Sequence, residues 1–518
     1  MSVKPSIYIP NETTACALGA DQVAAQMSAC LADQGIDARL VRNGSRGAFH
    51  LEPLVEVETN GQRLLFGPVS EQDVAGLLAG GTLPDRSHPL CLGEVGDVEF
   101  LATQTRLTFA RAGVIDPLDF ESYVEHGGLQ GLQRAFAVGA EATIVEIEQS
   151  GLRGRGGAAF PAGVKWRTVA QTPGDEKYVV CNADEGDSGT FADRLLMESD
   201  PFQLLEAMAL AGAAVGAKRG YIYLRSEYPK AGQVTRAAID IARQQGLLGE
   251  SVLGAAHAFD VELRMGAGAY VCGEETAMLE SIEGKRGVVR KKPPVPAIEG
   301  LFGKPTLVHN VLTLAAATSV MAAGAEHYAA LGVGRSTGTM PFQLGGNVAQ
   351  GGLVELPFGV TMQGLLDDYA RATVSGRPMQ IVQVGGPLGA YVAANKWDVP
   401  MEYEAYAEAD AMIGHGGVVV FDDTFDPGAQ AEFAMEFCAV ESCGKCTPCR
   451  VGSTQAVRII AQLRRGEHAA QNLALLEELM ETMEVGSLCA LGGLAPMPVR
   501  SILASYPGVF VTDGGRNG

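Results

Sequence analysis

Tyr178-Val-Val-Cys181-Asn182-Ala-Asp184-Glu185-Gly186-Asp187-Ser-Gly189-Thr-Phe191 is the stretch that decides the fold. Tyr178–Cys181 is a short apolar run that reads as a buried strand. Four polar side chains, Asn182, Asp184, Glu185 and Asp187, follow it directly. In α/β proteins ligands bind just outside the carboxyl ends of strands. Side chains of this kind can bind ribose or ribityl hydroxyls. A solvated acidic turn is the plain alternative.

Working outward, Tyr221–Leu224 reads as a second strand, and Gln203 to Val215 and Tyr228 to Gln245 read as helices. This alternation predicts α/β architecture over residues 111–335. Upstream lies Gly151-Leu-Arg153-Gly154-Arg155-Gly156-Gly157-Ala-Ala-Phe160-Pro-Ala-Gly163-Val-Lys165-Trp166. Glycines let a backbone approach a phosphate or flat ring, and successive N–H groups cradle an anion. Turns also need glycine, so the loop alone leaves both readings open. Downstream, Gly266-Ala-Gly268-Ala-Tyr270-Val-Cys272-Gly273-Glu274-Glu275-Thr276-Ala277 puts acids at the start of a helix, where its dipole favours them. That pattern fits either a ligand loop or simple capping, with Cys272 as packing. Arg290-Lys-Lys292-Pro-Pro294 and Gly303-Lys304-Pro-Thr306-Leu-Val-His309-Asn310-Val-Leu-Thr313 follow. By itself His309 reads as a satisfied core histidine. Val311 to Val333 reads as one buried helix.

The remaining chain divides by periodicity. Residues 1–110 predict a compact α/β domain, with a strand at Ser6–Ile9 and a helix from Asp21 to Gln34. Strands follow at Leu54–Val57 and Arg63–Phe66 around the hairpin pair Asn60-Gly61. Ser70 and Asp73 have capping-box spacing for a helix to Leu78. Residues 336–422 predict β structure, and 423–518 helices.

Ten cysteines are present, five of them between Cys438 and Cys489. Glu441-Ser-Cys443-Gly-Lys-Cys446-Thr-Pro-Cys449-Arg450 gathers three thiolates, and Cys489 in Gly486-Ser-Leu-Cys489 supplies a fourth. The set suits an iron–sulfur cluster. Zinc also takes four cysteines, but usually from two paired knuckles. Cys438 reads as core.

The chain has 518 residues, enough for several domains. A net charge of −21 repels phosphate backbones, which argues against nucleic acid as a partner. An anionic cofactor would therefore need local positive charge, for which Arg153–Arg155 and Lys285 to Lys292 are candidates. The first residues carry no signal-peptide pattern, and no run of about 18 apolar residues occurs. A soluble, cytoplasmic protein without membrane insertion is expected.

Together these motifs resemble the flavoprotein subunit of respiratory complex I and its soluble relatives, the diaphorase subunits of NAD-linked hydrogenases and molybdenum formate dehydrogenases. The match runs from Ile144 to Pro498, with the motifs in the family's order. The resemblance implies FMN, NAD(H) and a [4Fe–4S] cluster as cofactors. It carries FMN binding onto Gly154, Gly156, Lys165, Asn182, Asp184, Tyr270, Gly273, Glu274, His309, Asn310 and Thr313, and NAD(H) binding onto Phe160, Glu185, Asp187, Glu275 and Lys292. Cluster ligation falls to Cys443, Cys446, Cys449 and Cys489. Glu274 would tune the flavin, with no side chain needed as general acid or base. The implied fold is an FMN-binding domain at 111–335, a ubiquitin-like (SLBB) β domain at 336–422 and a C-terminal helical bundle at 423–518 that holds the cluster. Three positions depart from the family's pattern: Asp187 stands for a glutamate, Val295 for an aromatic, and His309 for the first of two asparagines.

Residues 1–110 resemble the thioredoxin-like [2Fe–2S] domain of companion subunits, but only Cys16 remains where four ligands are expected. Asn11, Ser45 and Phe49 occupy the other positions. One thiolate cannot hold that cluster, so a redox-silent docking domain is expected. This arrangement looks most like the β subunit of a soluble NAD-dependent formate dehydrogenase. Its partners would be a thioredoxin-like [2Fe–2S] γ-type subunit and a molybdenum and iron–sulfur catalytic α-type subunit. A hydrogenase or complex I-like diaphorase is the same-class alternative, and a non-catalytic docking subunit the different-class one.

Overall fold

The computed structural model describes residues 4–510, so the outer ends of the expected first and last units lie outside the described residues. The N-terminal sheet comprises β1 (Ser6–Tyr8), β2 (Arg39–Val41), β3 (Val55–Thr59), β4 (Gln62–Phe66) and β5 (Cys91–Gly93), in the order β2-β1-β3-β4-β5. β1 and β2 run parallel, and the other neighbours antiparallel. The helix Ala20–Gln34 crosses over between β1 and β2 and buries Val23, Met27 and Leu31, the stripe its spacing predicts. Asn60 (φ 53°) and Gly61 (φ 79°) both take the left-handed conformation that a two-residue β3–β4 hairpin requires. Ser70 and Asp73 do form a capping box. It starts a 3₁₀ turn followed by one α turn, Val74–Leu77, rather than a uniform helix.

The second sheet is all parallel: β6 (Tyr178–Ala183), β7 (Arg219–Leu224), β8 (Asp260–Met265) and β9 (Thr306–Asn310), in the order β8-β7-β6-β9. The inner strands are covered on both faces and mostly apolar, whereas β8 at the edge alternates and exposes Asp260, Glu262 and Arg264. Val179, Cys181, Ile222, Leu224 and Leu307 face a core shared with the helices Pro201–Val215 and Val311–Ala323. Tyr178, Val180, Tyr221, Tyr223 and Val308 face the opposite core, as the two-residue period of a strand dictates. From β6 the chain steps outward to β7 and β8, then returns to lay β9 on the other side of β6. Strand order therefore reverses between β6 and β9, which opens a crevice at their carboxyl ends.

The single helix expected over Val311 to Val333 is instead two. Val311–Ala323 ends at Gly324, whose φ of 97° suits only glycine, and Ala325–Ala329 follows. Gly332–Val333 is β10, paired with β11 (Ser336–Thr337).

The third sheet contains β12 (Thr339–Gly346), β13 (Gly352–Pro357), β14 (Met379–Val384), β15 (Ala390–Ala393) and β16 (Gly417–Asp422), in the order β13-β12-β16-β14-β15. Its central pair, β12 and β16, is parallel, and the others are antiparallel. Helices Pro427–Glu441, Thr447–Arg464, Ala469–Gly486, Ala490–Leu494 and Pro496–Ser505 complete the chain. Their core residues Met435, Cys438, Ile460, Met480 and Val499 belong to the same apolar cluster as Tyr178, Val180 and Val271. The C-terminal helices and the parallel sheet thus share one core. Among the described residues no helix is long and apolar enough to cross a membrane.

Candidate functional site

The crevice between β6 and β9 collects most of the predicted residues. On one side the glycine-rich loop folds back on itself, with Gly154 N donating to Phe160 O at 2.8 Å. Arg155 N donates to Thr313 Oγ1 at 2.8 Å, so Thr313 anchors the loop onto the helix after β9. A Cβ at Gly156 would stand 2.9 Å from Asn310 Cβ, so the loop can lie on Asn310 only without a side chain there. Phe160 stands on the rim, 47% exposed.

The expected basic cluster of Arg153 and Arg155 is not presented to an anion. Arg155 is fully buried, and its guanidinium donates to the carbonyls of Arg153, Thr337 and Thr339 and to Tyr328 Oη. Arg153 pairs with Glu404 at 2.7 Å. Lys165 and Lys292, with Arg225 beside Asp184, supply positive charge at the crevice instead. Arg290 and Lys285 are held by Glu280 and Glu283.

At the end of β6, Asn182 Nδ2 donates to Gly273 O at 2.7 Å, which joins this strand to the Tyr270–Glu275 loop. Asp184 is largely enclosed, and its Oδ2 has no hydrogen-bond partner. Burial lifts its carboxyl to about 7, against the pull of Arg225. A buried carboxyl oxygen without a partner is rare in native proteins. A ligand hydroxyl is the group that satisfies it, so this corner fits a polyol chain.

Glu274 caps the helix Glu275–Ile282, accepting from Thr276 N and Ala277 N at 2.9 Å each. Its other oxygen pairs with Lys292 at 3.0 Å. The capping alternative and the functional one therefore coexist, because the cap fixes a carboxylate at the crevice. Glu275 lies between Lys165 (3.2 Å) and Lys292 (2.9 Å). Burial would raise its pKa, but the two lysines more than offset this and hold it below the usual carboxylate range.

Three predicted residues turn inward. The His309 ring accepts at Nε2 from Trp166 Nε1 (2.9 Å). Indole donates only, so this imidazole is neutral with its proton on Nδ1. Burial, with Lys165 nearby, depresses it well below its ordinary value. Its side chain is thus a satisfied core histidine, and only its backbone borders the crevice. Glu185 accepts from the N–H groups of Asp193 and Arg194 at 3.1 Å, inside the protein. Asp187 accepts from Tyr270 Oη at 2.7 Å beneath Gly386, where a Cβ would come within 2.5 Å of its carboxyl carbon. Neither acid presents a free carboxylate at the surface. Asp187 is held by a group far away in sequence and Glu185 by the start of the following helix, neither of which the local acidic pattern could reveal.

Tyr270 also links the crevice to the cysteines. Its N–H donates to Glu441 Oε2 at 2.9 Å, and its ring packs edge-on to Phe437 with centroids 4.8 Å apart. Both partners lie on the helix leading into the cysteine run. Cys443 is in the next loop, Cys446 and Cys449 are at the N-terminus of Thr447–Arg464, and Cys489 is at that of Ala490–Leu494. Helix N-termini favour thiolate. Among the described residues, no three of these sulfurs lie within 4.8 Å of one another. Tetrahedral zinc would hold its thiolates about 3.8 Å apart. As a donor set, four thiolates suit an iron–sulfur core. Gly492 lies where a Cβ would be 2.7 Å from Cys449 Cβ, so glycine lets the two ligand segments meet. Burial, with Glu274 adding to it, pushes the Cys489 thiol up to about 11, a proton that metal binding must displace.

In the N-terminal unit, Lys230 reaches Cys16 Sγ (3.0 Å) and Asn11 Oδ1 (2.7 Å). Ser45 donates to Glu52 at 2.6 Å, and Phe49 stacks near Phe191. Cys16, Asn11, Ser45 and Phe49, the positions expected for [2Fe–2S] ligands, are thus engaged in other contacts.

Residues 147–319 match the Nuo51 FMN-binding domain family, and residues 429–512 match the NADH-ubiquinone oxidoreductase-F iron-sulfur binding region. The NADP-reducing hydrogenase subunit HndC of Solidesulfovibrio fructosivorans is 41% identical over 78% of this chain and 82% of its own length. An NADH-quinone oxidoreductase subunit of Rhizobium meliloti (strain 1021) is 41% identical over 75% of this chain and 93% of its own. The chain belongs to the complex I flavoprotein-subunit family. An NAD+-reducing [NiFe]-hydrogenase in the H2-reduced state superposes with a TM-score of 0.69 at 30% identity. That likeness covers 98% of this chain and 84% of the other. As a complex I-type flavoprotein subunit, the protein is an NAD-dependent flavin and iron–sulfur oxidoreductase whose cofactors are FMN, NAD(H) and a [4Fe–4S] cluster. The crevice and the four cysteines fit them. Sequence reasoning missed Asp193, Arg225, Gln343 and His415, which border the crevice; only His415 stands among glycines, in Gly414-His415-Gly416-Gly417.

Proposed function

We propose that this chain is the diaphorase subunit of a soluble, cytoplasmic, NAD-dependent formate dehydrogenase. The observation carrying the diaphorase reading is the crevice at the β6/β9 switch point, with its unpaired Asp184 oxygen. It shares one apolar core with the four cysteines. Bound FMN supplies two-electron exchange with NAD(H) and one-electron exchange with the cluster. The chain's own residues hold and orient. Gly154 to Gly157 and Asn182, Asp184, Gly273, Glu274 and Asn310 line the flavin cradle. Lys165 neutralises phosphate charge, Phe160 offers a stacking face, and Glu275 and Lys292 orient the dinucleotide.

The sheet order β2-β1-β3-β4 of residues 1–110 supports a thioredoxin-like domain. The order β13-β12-β16-β14-β15, with its parallel central pair, supports a ubiquitin-like domain at 336–422. Five helices support a bundle at 423–518. The formate assignment rests on the loss of thiolates at Asn11, Ser45 and Phe49, with γ- and α-type subunits as partners. A second reading, a hydrogen-linked diaphorase, is favoured by the hydrogenase relatives, one of which matches nearly the whole chain. Purifying the native complex and supplying formate or hydrogen separates the two. NAD+ reduction by formate supports the first, and reduction by hydrogen alone replaces it with the second.

A further inference from the structure

His415 precedes β16 in the third sheet and reaches across to the crevice of the second. Its Nε2 lies 3.1 Å from Asp193 Oδ1 and 3.6 Å from Glu185 Oε1. All three residues are buried. Asp193 Oδ2 accepts from Asn310 Nδ2 at 2.7 Å, and Asn310 Oδ1 accepts from Leu312 N at 2.9 Å. The Asn310 amide is thereby fixed in one orientation at the crevice wall. Gln343 on β12 completes the attachment. It accepts from Ala192 N at 2.8 Å and donates to His415 O at 2.7 Å.

Resting on the reading of this crevice as the FMN site, we infer that His415 is a positioning residue: its ring clamps Asp193 and Glu185, and through Asp193 it sets the Asn310 amide that faces the flavin. The three groups lie within 4.8 Å of one another, close enough for a cation. Their oxygens are already occupied, however. Glu185 accepts from two backbone N–H groups and from Tyr228 Oη (3.2 Å), and Asp193 accepts from Asn310 and His415. A shared proton, not a metal, accounts for the cluster.

Burial alone would depress the His415 ring. The Asp193 carboxylate, followed by Glu185 and Asp187, overrides this and lifts it to about 9. The other groups near it are Arg194 from the Asp193 helix, Arg225 and Tyr228 from the end of β7, and Tyr270, which holds Asp187. A raised folded pKa gives stability that is complete below about 6.5. It is lost as pH rises through about 9.

The test uses the full chain with His415→Gln and, separately, Asp193→Asn. FMN dissociation constants are measured by flavin fluorescence quenching from pH 6 to 10, and melting temperatures over the same range. Burial lifts Asp184 and Glu185 to about 7, so a change of affinity near pH 7 is expected in wild type and variant alike. Wild type is expected to bind FMN more weakly between about pH 8 and 10, with a parallel fall in melting temperature. His415→Gln is expected to bind at least about tenfold more weakly at pH 7, the loss of one charge-assisted hydrogen bond, and to lack both high-pH steps. If wild type shows neither high-pH step, the inference fails without any variant. A variant with wild-type affinity and profile overturns it equally. If wild type fails to bind FMN at all, the flavin reading fails, while the melting profiles still decide whether His415 clamps the acids.

Discussion

At the level of single residues, the crevice works through groups whose charge or hydrogen bonding is incomplete in the protein alone. Asp184 carries an enclosed oxygen without a donor. Replacing it with alanine removes the acceptor for a flavin hydroxyl, at a cost of about 1–3 kcal/mol. Asp184→Ala should therefore weaken FMN binding by roughly tenfold to a hundredfold in a fluorescence titration. Unchanged affinity would remove Asp184 from the cradle. Glu275 is kept ionised by Lys165 and Lys292; in the proposed dinucleotide site it would repel a second phosphate on the adenosine ribose. Glu275→Gln should raise the ratio of NADPH to NADH turnover, as kcat/KM, by about tenfold, or ~1.4 kcal/mol. If NADPH activity stays as low as in wild type, Glu275 does not select the dinucleotide.

Among the elements, the helix Ala192–Ser199 shows how the units are tied together. Glu185 and Gln343 cap its start, while Glu198 accepts from Thr13 and Arg194 pairs with Glu12 (3.1 Å) in the N-terminal unit. The glycine-rich loop is tied differently. Its buried Arg155 satisfies carbonyls at Thr337 in β11 and at Thr339, the first residue of β12 in the third sheet. Arg155→Ala strands those oxygens, so a loss of about 2–4 kcal/mol and weaker FMN retention are expected in urea denaturation and flavin release. The strand–loop–helix alternation around Tyr178–Phe191 was legible because parallel strands and amphipathic helices impose periods on their own residues. The iron–sulfur binding region was legible because the Cys443, Cys446 and Cys449 run is local. His415, Asp193 and the inward turns of Glu185, Asp187 and His309 were not. Partners such as His415 and Asp193 lie 222 positions apart, and no periodicity encodes a contact across two sheets. Gly324 was visible in the sequence, but only its backbone conformation revealed that it divides a helix.

For the whole molecule, one apolar cluster joins the parallel sheet, the Tyr270–Glu275 loop and the cysteine-bearing helices. That continuity keeps the flavin crevice and the iron–sulfur site in one rigid unit. The N-terminal unit attaches through polar contacts, such as Lys230 on Cys16, and through an apolar core in which Ala48, Leu54 and Phe100 meet Met340, Phe342 and Val354 of the third sheet. Iron analysis of the full chain should thus find about four irons, unchanged in Cys16→Ser and lost in Cys489→Ser. Iron that falls by two in Cys16→Ser would mean that the N-terminal unit holds a cluster after all. The central claim is that NAD(H) and FMN meet in the β6/β9 crevice. An anaerobic titration of the FMN-loaded protein with NADH, followed by visible absorbance, tests it most directly. Bleaching of the flavin band at about one NADH per FMN is the predicted result. A flavin that stays oxidised with FMN demonstrably bound would contradict the account.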